Sequence, residues 1–193
     1  MKNILILMLL SSYPIFAQDT PKGLNAHDLA PDFTAKDQFG KEINLKSELR
    51  KNKVVLVFYR GQWCPYCNKA LSALEDSLRY IRLKGATVLA VSPEKPENIS
   101  KTIEKTKASY SILHDEGLKI MKRYNVSFRV DSLTIVKYKT YGIDFNAVNG
   151  EANGTNLPIP AVFIINKNGE ITYRHFDPDY RKRPSVREII NHL

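Results

Sequence analysis

The chain has 193 residues, of which 43% are hydrophobic and 25% are charged, a profile that suits one soluble globular domain preceded by a short leader. No stretch contains the roughly 18 consecutive apolar residues that span a membrane. The net charge of +9 is spread along the chain, with Arg181-Lys182-Arg183 as its densest cluster, so we expect no nucleic-acid partner.

The N-terminus has the pattern of a targeting segment. Lys2 precedes an unbroken apolar run, Ile4–Leu10, and the small residue Ala17 stands before Gln18. This order is typical of a secretory signal peptide, so we predict that residues 1–17 are cleaved and that the protein is exported, to the bacterial periplasm or outside the cell. A buried N-terminal helix or an uncleaved anchor is the alternative. After cleavage we expect no stable insertion into a membrane.

The segment that follows predicts an irregular arm and then one domain. Residues 18–30 are polar and lack periodicity, and we expect the domain to cover residues 31–193. Alternating apolar residues around Gln38-Phe39-Gly40 predict a hairpin over residues 31–45. The continuous apolar run Val54–Phe58, rich in β-branched residues, predicts a strand buried on both faces, as in a parallel sheet.

The rest of the chain predicts alternating helices and strands. Leucine and isoleucine at spacings of three and four predict a long helix from Cys64 to Lys84. The later predicted elements are strands at 86–91, 112–114 and 161–165, helices at 96–107, 117–124 and 186–193, and a hairpin strand at 171–175. Residues 126–157 are expected to form an insertion or long loop. This order predicts an α/β thioredoxin-like fold, with a central mixed sheet flanked by helices.

The chemistry is expected at the two cysteines, which are three residues apart. Cys64 lies where a strand gives way to a helix, and the backbone N–H groups and dipole of a helix N-terminus favour its thiolate. Cys67 lies one turn further on the same face, within reach of an adduct on Cys64. A disulfide closing so short a loop would stabilise the fold little, which favours a redox role. Half of a zinc site or an incidental pair is the alternative, but no second ligand pair is present, so we expect no metal and no cofactor.

Two further residues are assigned to the site from their positions. Trp63 immediately precedes Cys64 and can shield the sulfur on one side. Pro160 directly precedes the predicted strand at 161–165, where thioredoxin folds have a cis proline packed against the disulfide. We expect a cis bond at Pro160, with a trans loop proline as the alternative.

Several motifs resemble the peroxiredoxin-like AhpC/TSA (redoxin) family, over residues 28 to 193. They are Pro31-Asp32-Phe33, the run Phe58-Tyr59-Arg60-Gly61-Gln62-Trp63-Cys64-Pro65-Tyr66-Cys67, Val91-Ser92-Pro93-Glu94, Pro160-Ala161-Val162-Phe163-Ile164-Ile165 and Asp177-Pro178-Asp179-Tyr180. The sequence is most similar to the branch with an F-Y-R-G-x-W-C-P-x-C signature. The resemblance implies a thioredoxin fold, with Cys64 as the peroxidatic cysteine and Cys67 as the resolving cysteine.

The sequence departs from ordinary peroxiredoxins at two positions. Gly61 stands where they have a threonine, three residues before the peroxidatic cysteine, and Pro160 stands where they have an arginine. Those two side chains polarise the peroxide and stabilise the thiolate. Arg60 or Arg129 is a candidate to replace them, with a surface or structural role as the alternative for each.

Three functions remain open on the sequence. The first is reduction of hydroperoxides through a Cys64/Cys67 dithiol–disulfide cycle, with a thioredoxin-like reductant. The second is exported thiol–disulfide exchange with protein disulfides, favoured by the C-x-x-C spacing and by the missing threonine and arginine. The third is a non-enzymatic module that binds a partner through residues 126–157.

Overall fold

The structure is a computed structural model that describes residues 20–193. The predicted signal peptide, residues 1–17, lies outside the described residues. Residues 20–30 are irregular and join the body of the molecule through a bridge between Leu29 and Glu170. Within residues 20–193, no helix is long and apolar enough to cross a membrane.

Strands and helices alternate along most of the chain. The strands are β1 (Thr34–Lys36), β2 (Glu42–Asn44), β3 (Lys53–Phe58), β4 (Ala86–Ser92), β5 (Ser111–His114), β6 (Ser127–Arg129), β7 (Asn156–Pro158), β8 (Ala161–Ile165) and β9 (Ile171–Phe176). The helices are α1 (Leu45–Leu49), α2 (Pro65–Asp76), α3 (Leu78–Leu83), α4 (Pro96–Thr106), α5 (Lys119–Arg123), α6 (Ser132–Thr140), α7 (Phe145–Asn149) and α8 (Val186–Asn191). A short 3₁₀ turn, Glu116–Leu118, precedes α5.

The central sheet has five strands in the order β5-β4-β3-β8-β9. β3, β4 and β5 are parallel, whereas β8 runs antiparallel to both β3 and β9. Phe58 at the end of β3 therefore lies between Val91 of β4 and Ala161 of β8. The predicted α/β fold with a central mixed sheet is confirmed, and the β1–β2 hairpin lies outside this sheet.

The sheet separates two apolar layers, because successive side chains of a strand point to opposite faces. Val55 and Val57 of β3 pack with α2, α3, α4 and α8 on one face, in the layer that also contains both cysteines. Leu56 and Phe58 pack on the other face with α1, α5 and the β1–β2 hairpin. The redox pair therefore belongs to one layer, and the opposite layer is a separate core.

The long helix predicted from Cys64 to Lys84 is two helices, α2 and α3. They are separated at Ser77, which has φ −105° and ψ 4° and donates its N–H to Glu75 O. Serine competes poorly for the helix interior because its hydroxyl bonds to nearby backbone groups in other conformations. Leu78 and Ile81 remain buried beyond the break, so the apolar stripe continues across it.

The predicted insertion, residues 126–157, is folded rather than a loop. It contains β6, α6, α7 and β7, and it forms a third apolar cluster with Val130, Phe145 and Leu157 at its centre. Its asparagines make tertiary contacts: Asn153 Nδ2 donates to Pro93 O at 2.6 Å and to Asp115 O at 3.1 Å. The polar composition of this segment does not reveal that it is folded, because its asparagines form hydrogen bonds with residues that are distant in sequence.

Phe163 offers a test of the opposite core layer, since it is fully buried in β8, next to the central strand β3, and contacts the rings of Phe58 and Tyr124. We expect Phe163→Ala to lower the free energy of unfolding by about 3–5 kcal/mol in a urea titration. The matched control is Phe39→Ala, at a residue that is 80% exposed, where we expect a change within about 0.5 kcal/mol. Equal effects of the two substitutions would contradict the described core.

Candidate active site

The β3–α2 junction places Cys64 at the first turn of a helix. Cys64 is the N-cap of α2, with φ −92° and ψ 109°, and its N–H donates to Gly61 O at 3.0 Å. Pro65 occupies the first helical position, where a missing N–H leaves no hydrogen bond unmade. The extended backbone at Cys64 directs its sulfur toward the free N–H groups of α2.

The two thiols lie together and are free in this structure. Three donors converge on Cys64 Sγ: the Cys67 thiol at 2.7 Å, the Cys67 N–H at 3.3 Å and Arg60 Nη2 at 3.2 Å. Cys64 is fully buried and Cys67 is 1% exposed. The geometry is that of a thiolate at Cys64 that accepts hydrogen bonds from a neighbouring thiol and a guanidinium.

The environment separates the pKa values of the two cysteines. The hydrogen bond from the Cys67 thiol is the largest influence on Cys64, and with the charge and hydrogen bond of Arg60 it lowers the pKa of Cys64 to about 6, against the opposing effect of burial. Burial, followed by the hydrogen bond to Cys64 and its charge, raises the pKa of Cys67 well above the ordinary value. At neutral pH Cys64 is therefore the nucleophile and Cys67 retains its proton.

Arg60 is buried against aromatic rings. Its guanidinium lies 3.6 Å from the centroid of the Tyr180 ring and 5.0 Å from that of Trp63, and Nη1 donates to the Tyr138 hydroxyl at 3.3 Å. Trp63 in turn contacts the Tyr138 and Phe145 rings, with centroids 5.2 and 5.5 Å away. Trp63 thus packs against the arginine that contacts Cys64 and joins the site to the folded insertion.

Arg129, the second arginine considered, does not reach the sulfurs. It is exposed on β6 and lines a cavity of about 340 Å³ together with Arg60, Phe128 and Tyr180. Among residues 20–193, its side chain makes no hydrogen bond with either cysteine. Of the two candidates, Arg60 is the one that contacts the thiolate.

The cis bond expected at Pro160 is wrong. No peptide bond within residues 20–193 is cis, and Pro160 is a buried trans proline that lines the same cavity as Arg60. The preceding segment explains the difference: Pro158 pairs with Ser127 in the β6–β7 ladder, and the Ile159 N–H donates to Val126 O at 2.8 Å. The chain therefore runs extended from β7 into β8.

The missing threonine also has a structural reason. A Cβ atom at Gly61 would lie 2.5 Å from Trp63 Nε1 and 2.7 Å from Glu94 Oε1, closer than real Cβ contacts allow. Trp63 and Glu94 therefore occupy the space that any side chain at this position would need. In this chain the β3–α2 turn requires glycine because two neighbouring side chains pack directly onto its backbone.

Glu94 is a buried acid that the sequence analysis did not assign to the site. It follows β4 and has no exposed surface, and its carboxylate accepts from the Gln62 N–H at 2.8 Å and from the Thr102 hydroxyl at 3.3 Å. Burial raises its pKa to about 7. Glu94 follows β4 and Cys64 follows β3, and the carboxyl ends of parallel strands meet at one edge of a sheet. These two positions were the signal in the sequence that could have placed Glu94 near Cys64.

The loop of residues 177–183, which follows β9, closes over the site. Tyr180 stacks on Arg60 and contacts the Tyr66 ring edge-on, with centroids 5.8 Å apart. Arg183 Nη2 lies 3.7 Å from Cys67 Sγ. From the sequence alone Arg183 is only one member of the densest basic cluster, because nothing local to residues 181–183 indicates which of the three cations turns inward.

The described residues contain no group of three or more His, Cys, Asp or Glu side chains arranged to bind a metal ion.

Comparison with known proteins decides the family. A model of the AhpC/TSA family matches residues 26–174. The chain belongs to this family. Peroxiredoxin Bcp of Escherichia coli (strain K12) is 31% identical over 103 residues, which cover 53% of this chain and 65% of that protein. The aligned part thus spans just under two thirds of this relative's length. The expected AhpC/TSA membership is confirmed, while the F-Y-R-G-x-W-C-P-x-C branch stays a prediction.

Solved structures agree on the fold. The crystal structure of peroxidoxin BcpB from Mycobacterium tuberculosis superposes with a TM-score of 0.63 at 18% identity, covering 86% of this chain and 90% of that one. A secreted disulfide oxidoreductase from the same organism, described as homologous to E. coli DsbE, gives a TM-score of 0.57 at 19% identity and covers 83% and 92%. At these identities both structures show the thioredoxin-like fold alone.

The contact between Arg60 and Cys64 generates a prediction. We expect Arg60→Met to raise the pKa of Cys64 by about 1 to 2 pH units, because hydrogen bonds to charged groups contribute roughly 1.5–3 kcal/mol. Thiolate ultraviolet absorbance in a pH titration measures it. Arg129→Met, which removes the other arginine of the cavity, is the control and leaves the pKa unchanged. A Cys64 pKa in Arg60→Met that stays at the wild-type value would contradict this role of Arg60.

The buried carboxyl of Glu94 generates a second prediction. Its pKa is raised from 4.5 to about 7 in the folded state, so the stability it contributes is fully present below the unfolded pKa and is lost as the pH rises through about 7. Between about pH 5 and pH 8, the wild type should therefore lose roughly 2–3 kcal/mol of unfolding free energy that Glu94→Gln retains. Urea titrations measure this.

Glu104→Gln, at an exposed carboxylate of α4, is the matched control for Glu94→Gln and should follow the wild-type pH dependence. Identical pH dependence of the wild type and Glu94→Gln would show that the carboxyl of Glu94 titrates normally.

Proposed function

We propose that this protein reduces hydroperoxides through a dithiol–disulfide cycle of Cys64 and Cys67. The observation that carries the proposal is the buried Cys64 sulfur, which accepts from Arg60 at 3.2 Å and from the Cys67 thiol at 2.7 Å. A low thiol pKa supplies the nucleophile, and a second thiol in contact with it supplies the resolving group. Membership of the AhpC/TSA family supports the same chemistry.

The first half of the cycle oxidises Cys64. Its thiolate attacks one peroxide oxygen, the O–O bond breaks, and the alkoxide leaves and takes up a proton as an alcohol, or as water when the substrate is hydrogen peroxide. Cys64 is then a sulfenic acid, oxidised by two electrons. The Arg60 guanidinium, already beside the sulfur, donates to the peroxide oxygens and stabilises the charge that develops as the bond breaks.

The second half restores the thiols. Cys67 loses its proton and attacks Cys64 Sγ, the S–O bond breaks, and the hydroxide that leaves takes up that proton as water. A thioredoxin-like reductant then attacks the Cys64–Cys67 disulfide through a mixed disulfide and returns both thiols, and is itself oxidised by two electrons.

Arg60 thus replaces the threonine and arginine of ordinary peroxiredoxins in this proposal. It comes from the β3–α2 junction itself, four residues before Cys64. Its aromatic neighbours Tyr180, Trp63 and Tyr138 place the guanidinium against the sulfur.

A second candidate function is thiol–disulfide exchange with protein disulfides. The C-x-x-C spacing favours it, as does an apolar groove of about 580 Å³ that has Cys67 in its wall. In this reaction Cys64 forms the mixed disulfide with the client and Cys67 releases it. The alternative of a module that only binds a partner finds no support in a site whose two thiols are brought into contact.

We also propose that the protein acts in the bacterial envelope or outside the cell. The support is the order of the basic, apolar and small residues in segment 1–17. A reductant with a thioredoxin-like fold in the same compartment would then complete the cycle.

Stopped-flow oxidation by hydrogen peroxide tests the function, with the fluorescence of Trp63, the single tryptophan of the chain, as the signal. We expect the reduced protein to react at least about 100-fold faster than free cysteine, because the donors around Cys64 are already in place. Cys64→Ser should abolish the reaction. Cys67→Ser should retain the first step and accumulate a sulfenic acid that dimedone labels.

Two outcomes would contradict the peroxidase proposal. One is a peroxide rate no faster than that of free cysteine, together with rapid reaction with a mixed disulfide, which would favour the second function. The other is dimedone labelling at Cys67 instead of Cys64, which would reverse the assigned roles.

A further inference from the structure

Arg183 is a second arginine at the dithiol and has no role in the chemistry described above. Its Nη2 lies 3.7 Å from Cys67 Sγ, and its Nη1 donates to Lys182 O at 2.8 Å. The neighbouring cations of the 177–183 loop pair with carboxylates, Arg181 with Asp179 at 2.8 Å and Lys182 with Asp177 at 3.3 Å. Within residues 20–193, Arg183 forms no such ion pair.

The loop that carries Arg183 contacts the site at two places. Tyr180 stacks on the Arg60 guanidinium at 3.6 Å. Three residues further on, Arg183 is half-buried and forms part of the wall of the apolar groove that Cys67 also lines. The same loop thus contacts Arg60, the arginine that donates to Cys64, and places a second cation, Arg183, next to Cys67.

The resolving step requires a Cys67 thiolate, but the surroundings of Cys67 in the reduced enzyme disfavour the loss of its proton. Cys67 is buried, and in the reduced state the Cys64 thiolate accepts its proton in a hydrogen bond and repels a second negative charge. Once Cys64 carries a hydroxyl or another sulfur, that repulsion and that hydrogen bond are lost. The Arg183 charge, which favours the Cys67 thiolate throughout, is then no longer outweighed by a neighbouring anion.

We infer that Arg183 is a catalytic residue of the resolving step, in which its guanidinium stabilises the Cys67 thiolate that attacks the oxidised sulfur of Cys64. Cys67 loses its proton, the Cys67–Cys64 S–S bond forms, and the bond from Cys64 to the leaving oxygen or sulfur breaks. A leaving hydroxide takes up that proton as water, and a leaving sulfur departs as a thiolate or takes up the proton as a thiol. The inference rests on the proposed cycle, but it applies equally whether Cys64 was oxidised by a peroxide or by a disulfide.

The other charged and titratable groups near Cys67 come from several elements. They are Cys64 and Arg60 of the β3–α2 junction, Tyr59 at the end of β3, Glu94 after β4, and Tyr66, Lys69, Asp76, His175 and Arg181 in the groove. The guanidinium of Arg60 lies on the Cys64 sulfur. Burial raises the pKa of Glu94 and that of Tyr59, and neither side chain supplies a positive charge. Arg183 is therefore the cation whose contact is with Cys67 itself.

A neutral pyridyl disulfide separates the two half-reactions, since each release of thione is visible by absorbance. The first release reports attack by Cys64, and the second reports attack by Cys67 on the mixed disulfide. We expect Arg183→Ala to leave the first phase unchanged and to slow the second by about 10- to 100-fold. The pH profile of the second phase should shift to higher pH, and Arg183→Lys should recover part of the rate.

Arg187→Ala is the matched control, because it removes the same charge from an exposed position on α8, and both its phases should match the wild type. An unchanged second phase in Arg183→Ala would overturn the inference. Equal slowing of both phases, or a slower second phase without a shift in its pH profile, would do so as well, because either result indicates a structural effect.

Hydrogen peroxide distinguishes this inference from the proposed function. If the peroxidase cycle operates, Arg183→Ala should accumulate more Cys64 sulfinic acid than the wild type, as detected by mass spectrometry, because the sulfenic acid persists longer. A slow second phase with the pyridyl disulfide, without any reaction with peroxide, would overturn the peroxidase proposal and leave the role of Arg183 supported.

Discussion

The site depends on one constraint, which is that a sulfur anion removed from water must be met by donors within the protein. An uncompensated buried charge costs many kilocalories per mole, and groups in that position neutralise instead. Cys64 has no exposed surface, so its thiolate depends on Arg60, the Cys67 thiol and the Cys67 N–H. The same constraint explains why an arginine is buried here, since each of the two ions offsets the desolvation of the other.

The buried Arg60 must in turn be held in place, and side chains from segments that are distant in sequence position its guanidinium. Tyr138 of the insertion and Tyr180 of the 177–183 loop contact the Arg60 guanidinium from different directions. Trp63 links the arginine to the apolar cluster of the insertion. The fold around the dithiol is thus arranged to maintain the pairing of a cation with Cys64.

The resulting asymmetry separates the roles of two chemically identical side chains. Cys64 accepts hydrogen bonds and its pKa falls, whereas Cys67 donates one and its pKa rises. The asymmetry lasts only while Cys64 is a thiolate. Oxidation of Cys64 removes the negative charge that restrains Cys67, so the first reaction prepares the second. Arg183 lies next to the Cys67 sulfur, where a positive charge assists the reaction only after Cys64 has been oxidised.

The sequence by itself determined the mixed α/β fold and the place of the Cys64–Cys67 pair at a helix start, because these follow from local periodicity and spacing. The AhpC/TSA family came from the resemblance of its motifs. Only the tertiary structure decided that Arg60 rather than Arg129 contacts the sulfur, that Pro160 is trans, and which other groups surround the dithiol. Arg60 is only four residues from Cys64, but Tyr138 and Tyr180, which hold its guanidinium there, are distant in sequence. The other outcomes depend on β6–β7 pairing and on contacts between residues more than thirty positions apart. Such contacts have no local pattern from which to predict them.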